Sequence, residues 1–142
     1  MQNGVYSMKN GLENYFVIKD NKKMRFGYTT GSSAAAAAKA AAEMLFSGKD
    51  VPVVELLTPK GIMLYLEVLD AKGGQRTCSC AIQKDGGDDP DVTSGLRIYA
   101  KVTLCERQEA EAICQKFQQS EKSDLKAAAS VGITAGEGVA KL

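Results

Sequence analysis

The sequence predicts an α+β domain, a mixed β-sheet with helices packed on one face, and three features carry that expectation. Short alternating apolar runs recur between turn signals such as Thr58-Pro59-Lys60-Gly61 and Lys72-Gly73-Gly74. An alanine-rich segment, GSSAAAAAKAAAEMLFSG, has high helix propensity and side chains small enough to lie close to another backbone layer. A second stretch, Glu106 to about Ala129, places Ala112, Ile113, Lys116 and Phe117 at helical spacing. Strand hairpins plus two helices give the α+β class.

The elements follow in order. Residues 1–24 read as an N-terminal arm and an edge strand: a polar, glycine-containing start, then Tyr15 to Lys19 (YFVIK), then the polar turn Asp20-Asn21-Lys22-Lys23. The domain proper is expected over 25–142. A helix is predicted from about Ser32 to Ser47, capped by Ser32 or a neighbouring hydroxyl and closed by Gly48. Two strands, Val51 to Leu57 and Ile62 to Leu69, flank the first turn signal. Arg76 to Lys84 sets Cys78, Cys80 and Ile82 against Thr77, Ser79 and Ala81, as in a half-buried strand. Leu96 to Leu104 places Leu96, Ile98, Ala100, Val102 and Leu104 on one face. The second helix is interrupted near Ser123-Asp124, and Val131 to Thr134 reads as a last strand running into Gly136-Glu137-Gly138.

Composition narrows the function. The chain has 142 residues, enough for a single core, with 18 Lys and Arg against 17 Asp and Glu. That balance gives no support for general attraction to nucleic acid or a membrane surface, and neither partner is expected. Histidine is absent, which excludes Ser-His-Asp and Cys-His catalysis and any histidine-ligated metal within the chain. No segment approaches the roughly 20 apolar residues of a spanning helix. Four cysteines, without an apolar leader in MQNGVYSMKNGLENY, read as reduced thiols of a cytoplasmic protein. Cys78 and Cys80 are expected as buried small residues, because one C-x-C pair without a second makes a weak metal signal.

Two stretches carry candidate chemistry. Thr29, Thr30, Gly31, Ser32 and Ser33 stand at the start of the alanine helix, where unpaired N–H groups, a partial positive charge and hydroxyl donors suit a carboxylate or a phosphate. The Gly-Lys-Ser/Thr ending of a P-loop is missing. Lys84 to Gly95, KDGGDDPDVTSG, packs Asp85, Asp88, Asp89 and Asp91 into one turn beside Lys84 and Thr93. A calcium loop fails on its glycine offset and on Ala100 where the last glutamate would stand, so no protein-bound metal is expected. Lys84 and backbone N–H groups can offset the crowded charge, or a ligand can, and the carboxylates also suit hydrogen bonding to a ribose or an amino group. Gly136-Glu137-Gly138 reads as a tight turn or a second anion-binding loop.

Three motifs in this order, RFGYTTGSSAAAAAKAA (25–41), KDGGDDPDVTSG (84–95) and ITAGEGVAKL (133–142), resemble the cobalt-precorrin-5B C1-methyltransferases of anaerobic cobalamin biosynthesis. The resemblance implies transfer of a methyl group from S-adenosylmethionine to C1 of a corrinoid substrate, giving cobalt-precorrin-6A, with cobalt arriving on the substrate. It also implies a fold like the second domain of ribosomal protein S5. Family members commonly carry cysteine where this chain has Ser33, alanine at Gly86, histidine or another polar residue at Ser94, and GGEGVG where residues 135–140 read AGEGVA. Their chains are more than twice as long, so this sequence is expected to be the N-terminal portion. Two other readings differ in class. Gly31 to Ala35 is similar to the GSSAA phosphate loop of the galactokinase–homoserine kinase group. A non-catalytic fragment binding a corrinoid or a partner is the other. Independently of these readings, a sheet left unfinished by the missing half would expose an edge, so self-association into a homo-oligomer is an expectation.

Overall fold

The computed structural model describes residues 10–88 and 92–109, with Val131 and Ile133. Two compact units divide the chain, Met1–Thr103 and Leu104–Leu142. In the second unit, residues 107–109 are helical; the rest of the stretch expected as a second helix lies outside the described residues, as do Gly136, Glu137 and Gly138. The strand expected at Val131 to Thr134 is not formed at Val131 or Ile133. Both are exposed, at 78% and 77%, and residues 132 and 134 lie outside the described residues.

The first unit is α+β, as the sequence predicts. It contains β1 (Phe16–Lys19), β2 (Lys22–Arg25), α1 (Thr30–Ser47), β3 (Val53–Leu57), β4 (Met63–Glu67), β5 (Leu69–Gly73), β6 (Thr77–Gln83) and β7 (Arg97–Thr103). The strands form three sheets, β1-β2, β3-β4 and β5-β6-β7. A mixed sheet is expected, yet every strand pairing among the described residues is antiparallel. No connection between paired strands carries the crossover that a parallel pair requires.

Local chemistry sets the turns. Lys19 pairs with Lys22, leaving Asp20 and Asn21 as a two-residue loop with φ of 53° and 62°. That is a type I′ hairpin turn, which Asp and Asn tolerate, so the expected four-residue turn shrinks and Lys22 and Lys23 join a strand. At the next hairpin Thr58 closes the loop twice: its N–H donates to the Ile62 carbonyl at 2.8 Å, and its hydroxyl accepts from the Ile62 N–H at 3.1 Å. The single strand expected from Ile62 to Leu69 is broken. The Val68 N–H donates to the Pro52 carbonyl at 2.9 Å, completing the β3-β4 pairing. The chain then bulges at Asp70, φ 50°, and pairs with β6 as a new strand. Lys72 and Gly73, expected in a turn, therefore belong to β5.

The core explains the alanines. Ser33, Ala36, Ala37, Ala40, Ala41 and Met44 form the buried face of α1. Against them lie Val54, Leu64 and Leu66 from β3-β4 and Cys78, Cys80 and Ile82 from β6. The approach is close enough for the Cys80 thiol to donate to the Ala37 carbonyl at 3.2 Å. Any larger residue at that face would wedge the layers apart. Cys78, Cys80 and Cys105 are free thiols, and the first two are the buried small residues expected. Residues 10–12 also pack here: Leu12 is buried, and the Tyr65 N–H donates to the Asn10 carbonyl at 2.9 Å. No helix among the described residues is long and apolar enough to cross a membrane.

Candidate functional site

The start of α1 is built by its own hydroxyls. Thr29 is the N-cap, extended at φ −76° and ψ 163°, and its side-chain oxygen accepts the Ser32 N–H at 3.0 Å. The Ser32 and Thr29 hydroxyls lie 3.2 Å apart, and the Ser33 N–H donates to the Thr29 carbonyl at 3.0 Å. Two first-turn amides, Thr30 and Gly31, have no hydrogen bond within the described residues, and both residues are exposed. The first turn contains no acidic residue. Ser33 differs from its neighbours: it is fully buried, and its hydroxyl donates back to the Thr29 carbonyl at 3.0 Å, away from this opening.

The acidic loop is the connection between β6 and β7, folded back onto the segment preceding α1. Its neck is closed by the Lys84 N–H donating to the Leu96 carbonyl at 2.8 Å and the Gly95 N–H to the Lys84 carbonyl at 2.7 Å. Lys84 is buried, and its ammonium donates to the Thr93 hydroxyl. Asp89 and Asp91 lie outside the described residues.

Backbone meets backbone where the two motifs join. Phe26 and Gly87 form an antiparallel bridge. The Tyr28 N–H donates to the Asp85 carbonyl at 2.9 Å, and the Asp88 N–H to the Arg25 carbonyl at 3.0 Å. A Cβ at Gly27 would fall 2.2 Å from the Gly86 carbonyl carbon, and one at Gly87, which has φ of +71°, 2.3 Å from the Arg25 oxygen. Glycine at both places is a condition of contact.

Charge reinforces the junction. The Arg25 guanidinium donates to both Asp85 oxygens, at 2.8 and 3.3 Å, and its Nε lies 3.7 Å from Asp88 Oδ1. The Asp88 carboxylate also accepts the Arg25 N–H at 2.8 Å, and Asp85 accepts the Gly87 N–H at 2.8 Å. The hydrogen bond from Arg25 holds the Asp85 carboxyl below its ordinary value. The Tyr28 phenol, donating to the Gln83 carbonyl, is pushed up to about 12, first by burial and then by the Asp85 charge.

The structure thus joins the two stretches singled out in the sequence. It engages Asp85 and Asp88 with Arg25 and leaves the Thr30 and Gly31 amides open one residue beyond the cap. Arg25, Gly27, Tyr28 and Gly87 are the members that sequence reasoning missed. A partial signal was present: four carboxylates in seven residues need a counter-charge, and Arg25 is the cation that opens the other motif.

The first turn of α1 thus leaves two amides exposed next to a loop tied to the preceding segment through Arg25. The sequence model of the CbiD family matches residues 17–142, and the chain belongs to that family. Among curated relatives, the cobalt-precorrin-5B C(1)-methyltransferase of Thermoanaerobacter sp. (strain X514) is 58% identical over 91 residues, covering 64% of this chain and 25% of the relative. Proteins of the same name from Clostridium perfringens (strain SM101 / Type A) and Alkaliphilus metalliredigens (strain QYMF) are 57% identical over 86 residues and 55% over 87. Each match covers 61% of this chain and 24% or 23% of the relative. The chain spans about a quarter of the length of these relatives. No solved structure is significantly similar to it.

Proposed function

We propose that this chain is part of a cytoplasmic methyltransferase that moves a methyl group from S-adenosylmethionine to C1 of cobalt-precorrin-5B, yielding cobalt-precorrin-6A. The observation that carries the reading is family membership over residues 17–142, with relatives bearing that name. The opening at α1 fits the substrate's chemistry. A corrinoid precursor carries carboxylate side chains, and the Thr30 and Gly31 amides with the Thr29 and Ser32 hydroxyls offer donors and a positive helix end to receive one. Asp85 and Asp88 serve to brace the opening through Arg25 rather than to touch the substrate, whose like charge they would repel.

In the transfer, the sulfonium carbon–sulfur bond breaks as the bond to C1 forms, leaving S-adenosylhomocysteine. Such a displacement depends on in-line placement more than on a strong base, which suits a chain without histidine. Isothermal titration of S-adenosylmethionine into the chain, with and without a corrinoid polycarboxylate, tests the reading. Heat released in either condition supports it, and none in both refutes donor binding by this chain. A second reading is favoured by the span of about a quarter of each relative: the chain holds the corrinoid and the donor site is completed elsewhere. A corrinoid absorbance shift without donor binding would select it.

A further inference from the structure

β7 is an edge strand whose outer side is open. Its register against β6 is unbroken over Arg97–Thr103, and the Lys84 N–H donates to the Leu96 carbonyl where that ladder begins. Main-chain groups alternate in direction along a strand. The even-numbered residues of β7 therefore point at β6, while Arg97, Tyr99, Lys101 and Thr103 turn their N–H and C=O outward. None of these outward groups has a hydrogen bond among the described residues. Other edges are occupied or interrupted. On β3 the outward Glu55 carbonyl accepts the Lys39 ammonium at 2.6 Å, on β4 the outward Tyr65 N–H donates to the Asn10 carbonyl at 2.9 Å, and β5 bulges at Asp70. The inner face of β7 is also incompletely covered. Ile98, Ala100 and Val102 are only half-buried, whereas their cross-strand partners on β6, Ile82, Cys80 and Cys78, are buried.

The strand matches its own reverse about Ala100. An antiparallel copy centred there pairs Arg97 with Thr103 and Tyr99 with Lys101, and each pair can exchange two main-chain hydrogen bonds. On the inner face the same register sets Ile98 against Val102 and Ala100 against itself, which continues the apolar row. A slip of two residues, the smallest that keeps outward groups facing each other, sets Arg97 against Lys101 or Lys101 against itself. Like charges directly opposite are destabilising, and larger slips leave fewer pairs. Cations that would guard this edge against most strands thus leave one full register open. We infer that β7 pairs with β7 of a second copy across a two-fold axis at Ala100, joining two three-stranded sheets into one of six. The occupant is a second copy because in that register each cation meets a neutral residue, Lys101 beside the Tyr99 ring, and each apolar residue an apolar one. The contact is isologous and closes at two. One strand pair buries less than a standard interface, so the dimer belongs to the weak class.

Sedimentation and amide hydrogen exchange of the full chain over a concentration series test this. The chain is expected to dimerise as concentration rises. Exchange at Arg97, Tyr99, Lys101 and Thr103 should slow in step, while Ile98, Ala100 and Val102, already bonded to β6, change little. Lys101→Pro deletes one outward N–H and spares the β6 ladder, so it should weaken the dimer at least about tenfold. Lys101→Ala keeps that N–H and should stay within about threefold of the unsubstituted chain. Far-UV circular dichroism checks that both variants are folded. Ala100→Cys reads the register independently of the proline variant. It sets a thiol opposite its own copy at a Cα spacing of about 4.5 Å, within disulfide reach, so mild oxidation should give far more covalent dimer than the unsubstituted chain does. A chain that stays monomeric at the highest concentration reached overturns the inference, as do outward amides protected equally at every concentration, the sign of an edge covered within one chain. A folded Lys101→Pro chain that dimerises undiminished, an alanine variant that loses as much as the proline one, or an Ala100→Cys chain that cross-links no better than its parent would overturn it too.

Discussion

Replacing Gly27 by alanine tests whether the joined motifs are one structural unit. The added methyl would sit 2.2 Å from the Gly86 carbonyl carbon, 2.3 Å from the Asp85 oxygen and 2.4 Å from the Gly87 nitrogen. All three are backbone atoms on a loop, with no side chain to rotate aside, so the segments must separate. Separation breaks the Tyr28–Asp85 and Asp88–Arg25 backbone bonds, at about 1 kcal/mol each, and adds about 1 kcal/mol of displaced packing. The expected loss is about 3 kcal/mol. With an m-value near 2 kcal/mol/M, the urea midpoint followed by far-UV circular dichroism should fall by about 1.5 M. Gly31→Ala, four residues along, is the control: its methyl would approach only the Thr29 hydroxyl, at 3.7 Å, on an exposed helical turn. There alanine should be neutral or stabilise by about 0.5–1 kcal/mol. If the two variants had equal midpoints, the steric argument would be refuted.

The remaining predictions concern the cap and the charges. Thr29→Ala should cost about 1 kcal/mol by freeing the Ser32 N–H, with Thr29→Ser restoring most of it in the same urea assay. Because the folded-state value of Asp85 is depressed, its contribution is complete above its ordinary 3.8 and is lost as pH falls through the lower folded value. Arg25→Met should therefore flatten the fall in urea midpoint below about pH 4, and an unchanged acid limb would contradict the clasp. In tyrosinate absorbance titrations one of the five tyrosines should ionise near 12, and Tyr28→Phe should remove that late step. Its stabilising effect is complete below pH 10 and disappears as pH rises toward 12.

Much of the fold was legible because local signals agreed. The alanine run, its hydroxyl start and Gly48 fix α1 to within two residues at its start, and Thr29 is the neighbouring hydroxyl that serves as the cap. The Cys78–Ile82 alternation gives the inner face of β6, and Ile98, Ala100 and Val102 that of β7. What stayed hidden depends on contacts distant in sequence. Nothing local says that Ile62 to Leu69 must turn a corner at Val68, since that follows from a bond to Pro52 and from β6 claiming β5 as a partner. The crowded carboxylates call for a counter-charge, but nothing local selects Arg25 from the other cations as the partner 60 and 63 residues away. Ser33 stands in a row of donors, yet the 3.6-residue period turns it inward while Thr30 and Gly31 stay open.

The claim that most needs testing is that the open amides at the start of α1 receive a carboxylate of the corrinoid. Amide chemical shifts of isotope-labelled chain, followed while cobyrinic acid is added, report on those two positions directly. Thr30 and Gly31 should move first and saturate together, and the fully methyl-esterified corrinoid should leave them in place. Binding that shifts other amides while Thr30 and Gly31 stay fixed, or shifts that are the same for acid and ester, would contradict it.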